Sequence, residues 1–129
     1  SPAYLQAHGT PHVPDDLQGH QCIRMRMQSG KMYRWEFVRH GQAFALDVPG
    51  TLILNQVGLM AEAALAGRGI AYVPDTSVRD HLQDGRLLPL LQDWCQPSSE
   101  LALYYPGHRH VPAALRAFIG VLQEVYAPA

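Results

Sequence analysis

The chain has 129 residues, 47% apolar and 16% charged, with 10 Lys and Arg against 11 Asp and Glu, for a formal net charge of -1 with histidines neutral. That balance suits one packed domain, argues against disorder, and lacks the basic excess of a self-sufficient nucleic-acid binder. No run reaches the roughly 20 apolar residues of a membrane-spanning helix, Ser1-Pro2-Ala3-Tyr4 does not open like a signal peptide, and Cys22 and Cys95 are too few for a disulfide scaffold, so a cytosolic globular chain is expected.

In chain order, Ser1 is an N-cap and Pro2 a first helical residue, which predicts a short helix to about Ala7, stopped by Gly9-Thr10-Pro11. Pro14-Asp15-Asp16-Leu17 repeats the pattern, with acids where a first turn favours them. The period then changes to two. Ile23, Met25 and Met27 alternate with polar residues, as do Tyr33, Trp35 and Phe37, then Phe44, Leu46 and Val48, with turns at Ser29-Gly30 and His40-Gly41. Three such segments predict an antiparallel meander.

Leu52-Ile53-Leu54 reads as a strand covered on both faces, and Asn55 as the cap of a helix whose stripe is Val57, Met60, Ala61, Ala64 and Leu65. Gly67 is its left-handed stop, and Ile70–Val73 is the next strand, so a parallel crossover is expected. A helix over Thr76–Gln83, strands over Leu87–Leu91 and Leu101–Tyr105, and a last helix opened by Pro112 complete the chain. The stripe Leu115, Phe118, Ile119, Leu122 of that helix is worth on the order of 6 to 12 kcal/mol when buried, which predicts packing on its own lobe or on another copy. The class is α/β with a mixed sheet flanked by helices.

Converging chemistry is scarce. Seven histidines include the pairs His8/His12 and His108/His110, but no third or fourth ligand joins them, so no metal site is expected. No GxSxG motif or nucleophile–base pair appears, and the cysteines read as inert thiols. Gly67-Arg68-Gly69 closes a helix and enters a strand, the reverse of a dinucleotide-binding turn. Neither a catalytic residue nor a cofactor is expected.

Two features remain. Leu54-Asn55-Gln56-Val57 is a strand end feeding a helix start, where open α/β sheets bind ligands and helix N–H groups attract anions. It reads equally as a plain helix start. Arg24, Arg26 and Arg34 fall on neighbouring predicted strands, on the face opposite the Met and aromatic residues, and could grip a carboxylate by two-pronged bonds. They read also as a solvated face with Glu36 as partner.

The ordered set of segments resembles the effector-binding domain of LysR-type transcriptional regulators. The matching stretches are Ser1–Leu5 with Gly9-Thr10-Pro11, Leu17–His20 with Cys22-Ile23-Arg24, Tyr33–Phe37, Leu54-Asn55, Ala63–Gly67 with Gly69–Pro74, Gly85-Arg86-Leu87, Tyr104-Tyr105-Pro106, Arg109–Pro112 and Leu115–Phe118. The resemblance implies one lobe of a periplasmic-binding-protein-like (type 2) fold spanning 1–129, with 107–129 returning to a first lobe that, like the DNA-binding helix-turn-helix, would precede Ser1. It also implies a non-enzymatic, cytoplasmic homo-oligomer that holds a small organic acid or aromatic effector between lobes and touches DNA only through the helix-turn-helix. Asn55, Gln56 and Val57 are the implied effector contacts, followed by Arg26, Arg34 and Pro74. The alternative with the same fold is the solute-binding protein of a transporter.

Overall fold

Helix α1 (Pro2–His8) leads to strand β1 (Cys22–Met25), hairpin strands β2 (Trp35–Arg39) and β3 (Gln42–Leu46), then β4 (Ile53–Leu54), α2 (Val57–Leu65), β5 (Ile70–Ala71), the short α3 (Arg79–Gln83) and α4 (Ala113–Tyr126). The computed structural model describes residues 1–96, 103 and 111–126, in two units, Ser1–Ser99 and Glu100–Ala129.

Cys22 and Ile23 are adjacent and both buried, so β1 is covered on both faces and takes the centre of the first unit. It pairs in parallel with β4 on one side and β5 on the other, giving the order β4-β1-β5. Arg24 lies opposite Ile53 and Met25 opposite Leu54, while Cys22 faces Ile70 and Ile23 faces Ala71. One face of this sheet packs Ile23 with Met60, Ala61 and Ala64 of α2, and with Val78 and Leu87. The other packs Cys22 with Leu17, Val48, and Trp35 and Phe37 of the hairpin. Tyr72 joins the two parts: its ring stacks on Trp35 at 5.5 Å, and its hydroxyl donates to the Glu36 carbonyl at 3.1 Å.

The expected α/β class with both parallel and antiparallel pairing is present, as is the strand–helix–strand unit. The Ser1 side chain caps α1 by accepting from the Tyr4 N–H at 3.3 Å, and Gly67, at φ 71°, ends α2. His40 and Gly41 both take positive φ, as the tight turn of the β2–β3 hairpin requires.

Several expectations are corrected. The three-strand meander is not formed, because β4 and β5 occupy both edges of β1. Beyond it, the isolated bridge Arg26↔Met32 begins an antiparallel pairing that goes no further as a strand among the described residues. The parallel and antiparallel strands therefore lie in two separate sheets. Thr76–Gln83 is not one helix: a 3-10 turn over Asp75–Ser77 precedes α3, broken where buried Val78 adopts φ -128°. Leu87–Leu91 is not a strand, since Pro89 lacks a ladder donor and Leu91 sits at φ 54°. Asn55 does not cap α2; Gln56 holds that position and makes no side-chain cap bond. Of the strand expected over Leu101–Tyr105 only Leu103 is described, exposed and in no strand, and the pair His108/His110 lies outside the described residues. Pro112 does precede α4, its carbonyl accepting from the Arg116 N–H at 3.0 Å. Within α4, Phe118 is 55% exposed, and Leu115, Ile119 and Leu122 are half-buried.

Candidate functional site

Three parallel strands put their carboxyl ends on one edge, and four of the expected residues follow those ends directly. The Arg26 N–H donates to the Leu54 carbonyl at 2.8 Å, which sets Arg26 beside Asn55 and Gln56. Val57 starts α2, and because no side chain caps that helix, its first-turn N–H groups remain as donors to an anion. Pro74 lies beyond β5, on the opposite side of β1, where its carbonyl accepts from the Ser77 N–H at 3.0 Å. Asn55, Gln56 and Pro74 are exposed, and Val57 is half-buried.

The arginines are arranged differently from the expectation. Arg24 shares the face of Cys22, so it looks toward the aromatic hairpin rather than away from it. Its partner is Asp47, not Glu36: Arg24 Nη2 lies 3.6 Å from Asp47 Oδ1. Arg34, just before β2, reaches the same carboxylate, with Nε 3.7 Å from Oδ2, and donates from Nη2 to the Ala45 carbonyl at 3.1 Å. Arg26 donates to the Gly30 carbonyl at 3.1 Å and has no carboxylate partner among the described residues. Arg34 is therefore held on the hairpin, whereas Arg26 is held on the parallel sheet. Asp47 was not recoverable by periodicity, because it follows β3 and joins the group only through tertiary contact.

The edge also carries an aromatic wall. Tyr33 is registered beside β1 by its N–H, which donates to the Met25 carbonyl at 2.8 Å, and its ring lies 5.9 Å from Tyr72. Burial pushes both phenols above their ordinary range, and the neighbouring Glu36 carboxylate adds to the effect. They stay neutral hydrogen-bonding groups through the physiological range. Two open recesses, of about 320 Å³ beside α3 and about 270 Å³ between Thr10–His12 and Pro89–Trp94, contain none of the expected residues. Among the described residues no three His, Cys, Asp or Glu side chains are grouped to hold a metal, and no helix is long and apolar enough to cross a membrane.

The family model for the LysR substrate binding domain matches residues 1–127. The chain belongs to this family. It is similar to a putative transcriptional regulator of Pseudomonas aeruginosa, 41% identical over 124 residues that make up 95% of this chain and 40% of that protein. It is also similar to the HTH-type transcriptional regulator YcaN of Escherichia coli, 35% identical over 119 residues, covering 92% of this chain and 38% of YcaN. The regulatory domain of CrgA, a LysR-type transcriptional regulator from Neisseria meningitidis, superposes with a TM-score of 0.73 at 28% identity, covering 96% of this chain and 61% of that one. The chain thus spans 38% to 40% of the length of these two relatives. That its relatives are named as regulators of transcription favours this reading over the transporter alternative.

Proposed function

We propose that this LysR lobe forms one wall of the cleft in which a transcriptional regulator senses a small organic acid or aromatic effector, and that it breaks no bond. The observation that carries this reading is the register of Arg26 against Leu54, which gathers a cation, the exposed amides of Asn55 and Gln56, and the uncapped start of α2 at one sheet edge. An anionic or carbonyl-bearing effector would take hydrogen bonds from these groups and stack on Tyr33 and Tyr72. In this reading residues 107–129 return to a companion lobe, Pro74 lines the far side, and Arg34 approaches from the hairpin.

Binding between lobes favours the closed arrangement over the open one, and a homo-oligomer carries that shift to a helix-turn-helix outside these 129 residues. A regulator working in this way is cytoplasmic. The test uses the regulator that contains this lobe, titrated calorimetrically with a panel of small organic acids and aromatic acids. Arg34→Ala and Gln56→Ala are expected to weaken whichever acid binds; unchanged affinity removes the substituted residue from the site.

A further inference from the structure

We infer that Asp47 is an exchangeable carboxylate, which an anionic effector displaces from Arg34 onto Arg24. The inference rests on the assignment of Arg34 to the effector site. Arg24 is the less exposed of the two arginines, its side chain 21% exposed against 58% for Arg34. Its Nε is buried and has no hydrogen-bond partner among the described residues. Nε–H and Nη2–H lie on the same side of a guanidinium and form one of its two-pronged edges. On Arg24 one prong is empty and the other is only loosely engaged, at 3.6 Å from Asp47.

Charge-assisted bonds of this kind close to about 2.7–2.9 Å, so Asp47 is bonded fully to neither arginine. It is suspended between them, with one oxygen toward each. Moving wholly onto Arg24 would satisfy the orphaned Nε–H, whose isolation is otherwise a cost to the folded state. Arg34 opposes that move.

The exchange needs only side-chain rotation. The Asp47 backbone is anchored, since its carbonyl accepts from Gln18 Nε2 at 3.1 Å and the next residue, Val48, is buried. The Asp47 side chain itself is 67% exposed, and exposed ion pairs are weak enough to trade partners. Arg34 keeps its orientation throughout, through Nη2 on the Ala45 carbonyl. An anion arriving at Arg34 therefore substitutes for Asp47, and the released carboxylate closes on Arg24 in the central strand. The hairpin end is then tied to β1, whose next residues carry the site edge.

The test follows the Arg24 Nε–H resonance by NMR in the 129-residue chain, with the β2–β3 amide peaks checking that the hairpin is intact. Arg34→Gln should mimic the liganded state: solvent exchange of Arg24 Nε–H slows by at least about fivefold as the carboxylate closes on it. Asp47→Asn should remove the competitor, tightening the binding of sulfate or succinate by about two- to fivefold at low salt. An unchanged Arg24 Nε–H in Arg34→Gln overturns the exchange even if the regulator loses its effector with Arg34. A slowed Arg24 Nε–H together with unaltered effector affinity in Arg34→Ala leaves Asp47 exchangeable, but overturns both its displacement by the effector and the assignment of Arg34 to the site.

Discussion

Close approach at single positions explains how β1 is framed. A Cβ on Gly50 would overlap the Cys22 carbonyl oxygen, and that carbonyl belongs to the strand's fixed backbone. The Cys22 N–H in turn donates to the Pro49 carbonyl at 3.1 Å, so the segment before β4 is pressed against β1. Gly50→Ala is expected to lower stability by about 2–3 kcal/mol, read from chemical unfolding midpoints. The same burial makes Cys22 unreactive: desolvation pushes its thiol up to about 12, against a smaller opposing pull from Arg24. Alkylation near neutral pH should leave Cys22 unmodified in the folded chain and modify it once the chain unfolds, as peptide mass mapping would show.

Elements were legible where one local signal controlled them. The βαβ segment combined a continuous apolar run, a helical stripe and a left-handed glycine, and it formed as β4, α2 and β5. Ile23, Met25 and Met27 alternated like one face of a meander, but the pairing partners of β1 come from far along the chain and claim both its edges. Alternation reports which face a residue takes and says nothing about which strand lies alongside. The arginine group was half legible for the same reason: Arg24 and Arg34 announced themselves by charge, and Asp47 did not. The turn before β1 was read by its acids. Asp16 accepts from the His12 and Val13 N–H groups at 2.8 and 3.2 Å, and those bonds hold its carboxyl below the usual range. A carboxyl depressed in the folded state stabilises fully above its unfolded value and ceases to do so as pH falls through the folded one. Asp16→Ala should therefore lower the Tm at neutral pH, with the difference from the parent chain vanishing on acidification.

At the scale of the molecule, Arg26, Asn55, Gln56 and Val57 lie along an open sheet edge and line neither recess. Small-molecule sites bury roughly 70–90% of a ligand's surface, and a single wall cannot do that. The recesses of about 320 and 270 Å³ lie away from Arg26, Asn55 and Gln56. A ligand on this edge can take hydrogen bonds from the α2 start and a pairing from one guanidinium, each of which competes with water and salt. The 129-residue chain is accordingly expected to bind a small organic acid with a Kd of about 1 mM or weaker, equivalent to about -4 kcal/mol. Raising salt from 0.05 to 0.5 M should weaken that binding further, because the guanidiniums are exposed to screening. The regulator containing the lobe should bind the same acid more tightly and with less salt dependence, since a second wall excludes solvent from the charges. Titration of both proteins with one acid at two salt concentrations makes the comparison. Micromolar binding to the 129-residue chain alone would mean that one lobe closes around its ligand, and would move the site from the sheet edge to a recess such as the one lined by Thr76, Arg79, His81 and Arg86.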